Sequence, residues 1–118
     1  MGLTTNEANR LLSYSLIGRQ LHVGLYTGEI SKGGIGPEVT GASYLRPIIT
    51  FAVEGDIGNN DKDVNFPVAT EDWGTITHVA VRTSVGQTIW FGELPAPVTI
   101  FTNDQFLIAA GELKATLV

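Results

Sequence analysis

Two hydrophobic periods divide the chain. Between Thr4 and Gly18 the apolar positions Ala8, Leu11, Leu12 and Leu16 recur three or four residues apart, which lines them along one face of a helix. Thr4-Thr5-Asn6-Glu7 predicts a capping box, with Thr4 as N-cap and Glu7 reaching back to it, and Gly18 is placed to stop the helix. A helix of about three turns is marginal alone, so its stripe must dock, either on its own domain or on a neighbouring subunit. From residue 19 the period becomes two. Leu21, Val23 and Leu25 alternate with His22, Gly24 and Tyr26, which predicts a half-buried strand.

Further strands are predicted over residues 44–53, 63–66, 75–83, 88–94, 98–101, 105–109 and 113–118. Pro47 denies a ladder donor, so its strand belongs at a sheet edge or a bulge. Residues 27–41 hold five glycines and Pro37 and read as a long surface loop, of a length that signals function or an interface. Residues 54–63 read as a polar turn, and Ser84-Val85-Gly86-Gln87 and Thr102-Asn103-Asp104 carry turn chemistry between neighbouring strands. No helical pattern recurs between strands, so the sheets should be antiparallel. The expected fold is mainly β: an antiparallel, jelly-roll-like β-sandwich over residues 19–118, preceded by one short N-terminal α-helix in residues 1–18 that serves as an attachment segment. No repeat or heptad series is visible, so the chain does not form a long fibre shaft by itself.

Composition narrows the class. The chain has 118 residues, 14 glycines and 5 prolines, which suits short strands joined by turns, and its size suits one domain. Only 16% of residues are charged, which leaves a largely neutral surface of the kind that packs on partners. The formal net charge is −5 and the bases are scattered singly, so nucleic acid is not an expected partner. No cysteine is present, which removes disulfides and thiolate metal sites, and no apolar run is long enough for a membrane span. Folding in a cytoplasm is expected, with no leader pattern at the N-terminus.

Candidate chemistry is sparse, and no cofactor is expected. His22 and His78 each sit in a strand without a second ligand at metal spacing. Asp56, Asn59, Asn60, Asp61 and Asp63 form an oxygen-rich loop, but it lacks the calcium-hand spacing and its terminal Glu. Gly33-Gly34-Ile35-Gly36 precedes Pro37 instead of opening a helix, so a tight turn is expected rather than a phosphate cradle. Nucleophile, base and orienter do not assemble into any catalytic signature, and a non-enzyme is expected. Trp73, in a turn beside Glu71 and Asp72, is read as capping the core or filling a subunit contact. Trp90 and Phe91 are adjacent in a strand and must face opposite sides of the sheet; one fills the core and the other needs cover from the helix or a partner chain. Leu11, Leu12, Leu16, Tyr44, Arg46, Trp73, Trp90 and Phe91 are therefore the interface candidates.

Taken together and in order, Ala8-Asn9-Arg10-Leu11-Leu12, Leu21-His22-Val23-Gly24-Leu25-Tyr26-Thr27, Glu38-Val39-Thr40-Gly41 with Tyr44-x-Arg46, Val64-Asn65-Phe66-Pro67-Val68-Ala69-Thr70, Asp72-Trp73-Gly74-Thr75-Ile76-Thr77-His78 and Ile108-Ala109-Ala110-Gly111-Glu112-Leu113 span nearly the whole chain. They resemble small virion structural proteins of tailed bacteriophages, labelled tail-fibre-like or virion structural. Gln87-Thr88-Ile89-Trp90 departs from the more glycine-rich hairpin expected there. The resemblance implies a β-sandwich carried on the virion, a homotrimer, and no catalytic residues. The leading expectation is a capsid decoration (cement) protein that clamps the major capsid protein, favoured by compactness and low charge. The alternatives are a tail-fibre or tail-tip module, or a glycan-binding sandwich with Trp73 or Tyr44 stacked on sugar rings.

Overall fold

The computed structural model describes residues 2–116; the ends of the chain, including Leu117 and Val118 of the last predicted strand, lie outside the described residues. The helix, α1, runs Thr5–Leu16. Thr4 caps it, its Oγ1 accepting from the Glu7 N–H at 3.2 Å. The return half of the capping box is not made, because the Glu7 carboxylate takes the Nε of Arg10 at 3.0 Å instead. Gly18 at φ +84° stops the helix, and Arg19 donates to the Ser15 carbonyl at 3.0 Å.

Nine strands follow among the described residues: β1 Leu21–Tyr26, β2 Ile48–Ile49, β3 Phe51–Glu54, β4 Ile57–Asn60, β5 Val64–Asn65, β6 Gly74–Thr83, β7 Thr88–Ile100, β8 Leu107–Ile108 and β9 Lys114–Thr116. All pairings are antiparallel. They form a four-stranded sheet in the order β2-β1-β6-β7, a three-stranded sheet β3-β4-β9 and a two-stranded pair β5-β8. Leu21, Val23 and Leu25 of β1 and Ile76, Val79 and Val81 of β6 enter one core with Phe51 of β3 and Ala115 of β9. The fold is thus a mainly β, antiparallel, sandwich-like domain with one helix, as the two periods predict.

The structure departs from the predicted elements in four places. Residues 44–53 do not form one strand: the chain leaves β2 at Thr50 and enters β3 in the other sheet, with Pro47 just before the edge strand, donating no bond but accepting from Val23 N–H at 3.0 Å. Residues 54–63 are not a plain turn, because β4 is the central strand of the three-stranded sheet, reached through Gly55 at φ +61°. The strands predicted at 88–94 and 98–101 are one element, β7. Its register with β6 jumps between Ile76 opposite Val98 and His78 opposite Glu93, so Pro95 and Pro97 sit in a bulge on an edge strand where no ladder donor is missed. Finally, β1 is buried on both faces, because part of the predicted surface loop folds back over it. Val39 N–H donates to the Leu25 carbonyl at 3.0 Å, and Ile30 joins Tyr26 and Ala80 in a second small cluster on the outer face.

The helix question resolves inward. Ala8, Leu12 and Leu16 are buried, and α1 lies on β3 and β4 of the same chain. Gly58 is what lets it approach: a Cβ there would stand 2.5 Å from Leu16 Cδ1.

Candidate functional site

The densest polar construction on the molecule sits on the outer face of β1. Gly24, in mid-strand, leaves room for the Glu38 carboxylate; an added Cβ would lie 2.7 Å from Glu38 Oε2. Glu38 is brought there by an isolated bridge between Tyr26 and Glu38. Its Oε2 accepts from the Tyr44 hydroxyl at 2.7 Å and from Arg46 Nε at 2.6 Å, and its Oε1 accepts from Arg46 Nη2 at 2.5 Å and Arg82 Nη1 at 3.5 Å. Arg46 therefore grips the carboxylate with two parallel bonds, the geometry that makes such pairs strong. Arg82 also donates to the Tyr26 hydroxyl at 2.7 Å and to the Gly86 carbonyl at 2.6 Å, which ties the β6–β7 turn to the same cluster. Tyr44 in turn accepts from the Leu25 N–H at 2.8 Å.

Burial alone would raise the Glu38 carboxyl, but the bonds from Arg46 and Tyr44 and the charges of Arg46 and Arg82 outweigh it and hold it below its usual range. Burial, with help from Glu38, pushes the Tyr44 hydroxyl well up, so it stays a proton donor. The bond to Glu38 holds Arg46 above its ordinary value. Because the folded carboxyl titrates below the unfolded one, its stabilisation is complete above the unfolded value and is lost as pH falls through the folded value. Glu38→Gln should therefore cost about 2 kcal/mol near neutral pH, and this gap should begin to narrow as pH falls below about 4 and close further into acid. Urea melts of both chains across that range check it; a gap that persists in acid would show that charge is not what holds the cluster.

A cleft of about 700 Å³ opens beside this cluster, lined among others by His22, Thr40, Leu45, Arg46, Ser84 and Val85. Its two walls are the segment that carries Tyr44 to Arg46 and the tip of the β6–β7 hairpin.

The predicted interface residues scatter. Leu12 and Leu16 are buried in the chain's own core and Leu11 is half-buried, so the helix stripe is not a free attachment face. Trp73 is 5% exposed, with Tyr44 edge-on at 5.4 Å between ring centres, and a Cβ on Gly41 would lie 2.4 Å from its ring. It closes the core, and neither it nor Tyr44, which also stacks on Phe66 at 6.4 Å, is free to hold a sugar ring. Trp90 turns inward and donates to Ser15 Oγ of the helix at 2.9 Å. Phe91, on the opposite face, is 45% exposed. Arg46 lies in the charged cluster.

The other polar candidates do not gather into a site. His22 lies opposite Arg82 and His78 opposite Tyr26 on the β1–β6 ladder, so the two rings do not converge. His78 Nδ1 bonds the Thr77 hydroxyl at 2.8 Å. Asp61 accepts from Thr50, and Asp63 accepts from the Ala110 N–H at 2.9 Å, so these carboxylates stitch loops together. Gly34, at φ +79°, lets the glycine turn press on Thr88, whose hydroxyl donates to the Gly34 carbonyl at 3.1 Å.

Sequence reasoning did not single out Glu38, Arg82 or Tyr26 as a set. The available signal was Gly24, a glycine in the middle of an otherwise apolar strand, which marks a close approach.

A search of curated proteins finds no match. The model of one protein family, described as Podophage GP4 fiber I protein gp80, matches residues 9–116. That match takes in the last two-thirds of the helix, every described strand and the Glu38 cluster, and it agrees with the resemblance carried by the sequence motifs: the chain belongs to this phage fibre protein family and is a structural protein of the virion.

Proposed function

We propose that the chain is a non-enzymatic module of a podophage tail fibre, built into the virion as a homotrimer. The match to a family described as a fibre protein, over residues 9–116, carries this reading and favours it above capsid decoration. The absence of a shaft-forming repeat suits a fibre segment or adaptor joined to other virion proteins. Two surfaces support self-association. Phe91 stands outward on the edge strand β7, and Val98 and Leu107 line an apolar seam between β7 and the β8 side that Leu94 and Leu113 extend inward. A 13-residue edge strand with exposed apolar groups is a surface that proteins ordinarily cover.

Light scattering at micromolar concentration should give a mass about three times that of the 12.6 kDa chain. Phe91→Glu, at an exposed position, should lower that mass while leaving the far-UV spectrum of the folded chain unchanged. Electron microscopy of virions with a labelled chain separates the two placements. Label on fibres supports the proposal; label spread over the head restores the decoration reading.

A further inference from the structure

The geometry points to a second role for the cleft beside Glu38: it is a binding site for a neutral saccharide. Three observations lead there. Its volume, about 700 Å³, falls within the roughly 300–1,000 Å³ of small-ligand sites and is large enough for one or two sugar rings. Its polar lining mixes donors and acceptors: the His22 ring, the Thr40 and Ser84 hydroxyls and the Arg46 guanidinium. Arg46 turns Nε and Nη2 to Glu38, so Nη1 is the nitrogen left to face a ligand. A lining that both donates and accepts matches hydroxyl groups, which do the same.

Charge argues for a neutral ligand. Glu38 and Arg46 neutralise each other within the wall, with their side chains 16% and 39% exposed, and the chain as a whole carries −5. An anion would meet the Glu38 carboxylate and a repulsive overall field. The apolar part of the lining, Leu45 and the 88% exposed Val85, offers C–H surface to the face of a ring. The wall is also held in place before any ligand arrives, because Arg82 ties the hairpin tip to the Glu38 cluster through the Gly86 carbonyl at 2.6 Å. Tyr44 also lines the cleft, but its hydroxyl is engaged by Glu38 and the Leu25 N–H and its ring by Phe66 and Trp73, so the inference rests on the hydroxyl and guanidinium groups and not on aromatic stacking, and it does not depend on whether the chain sits on a fibre or on the head.

The test is a titration of the full ¹⁵N-labelled chain with glucose, galactose, mannose and rhamnose to about 50 mM, followed by amide shifts. At least one sugar should saturate with a dissociation constant on the order of 1 mM, with shifts confined to the cleft and unchanged between low and high salt. Ser84→Ala combined with Val85→Asp, both on an exposed hairpin tip, should weaken binding at least about fivefold without altering the melt. Shifts absent for all four sugars, or centred elsewhere, overturn the proposal. So does tighter, salt-sensitive binding of glucuronate or inorganic phosphate, which would make the cleft an anion site.

Discussion

A chain cut to residues 19–118 is expected to lose its cooperative unfolding transition. The helix covers the three-stranded sheet, and its removal uncovers β3 and β4 as well as deleting Leu12 and Leu16 from the core. Each buried leucine contributes roughly 1.5–3 kcal/mol by transfer alone, and the sheet surface left open adds to that loss. Against a total stability of about 5–15 kcal/mol, a loss of this size removes most or all of the margin. The Trp90 N–H would also lose Ser15, its bonding partner inside the domain. Leu12→Ala is the milder form of the same test: about 3 kcal/mol, or a melting point lower by about 10–15 °C. A truncated chain that keeps a dispersed amide spectrum and melts sharply would show instead that the helix is an accessory segment, as the sequence division at residue 18 proposes.

How far the sequence carries can be judged from single elements. The period of two in β1 and the Val-Ala-Val run of β6 announce strands because their burial is simple. β4 was invisible for the opposite reason. Only Ile57 in Ile57–Asn60 is apolar; Gly58 is small to admit Leu16, and Asn60 is buried because its polar atoms are all bonded. A pattern reading based on hydrophobic alternation has nothing to detect in such a strand. Likewise, prolines rightly mark a break in β7, but the chain absorbs it as a bulge at a sheet edge and does not end the strand.

The candidate site was half legible. Tyr44 and Arg46 stand out as an aromatic and a lone base within an apolar run, and both reach the charged cluster. Their common partner did not stand out, because the length of the loop over residues 27–41 signals function or an interface without marking any one residue in it, Glu38 included. Pairing of that loop with β1 makes the site, through the Tyr26–Glu38 bridge and the Thr27 N–H bond to the Pro37 carbonyl at 2.9 Å. Such long-range pairing leaves no local mark apart from Gly24. Trp73 caps the core, as its place beside the acidic turn suggests, and the alternative of an exposed ring stacked on a sugar does not fit it, because Gly41 gives the ring a place inside.

Replacement of Asn60 by alanine should be the costliest single polar substitution in the described chain. Asn60 is 1% exposed and the one buried polar residue in the described core. Its Nδ2 donates to the Lys62 carbonyl at 2.9 Å and to the Ala109 carbonyl at 3.0 Å, and its Oδ1 accepts from the Leu113 N–H at 2.9 Å. The backbone joins in, since Asn60 N–H donates to the Leu113 carbonyl at 3.2 Å and Gly111 N–H to the Asn60 carbonyl at 2.7 Å. One side chain thus tethers β4 to the turn that leads from β8 into β9. Alanine would leave backbone groups without partners, at roughly 1–3 kcal/mol for each that stays dry, and a small void besides. The expected loss is about 4 kcal/mol, some 15 °C in the melting point. Asn60→Asp keeps the size but replaces both donors with a buried charge, so it should be at least as damaging. Asn59→Ala, one residue earlier and only half-buried, is the control and should cost no more than about 1 kcal/mol. Equal, small losses at both positions would mean that water reaches the turn in solution and that the tether is not what joins the two halves of the sheet.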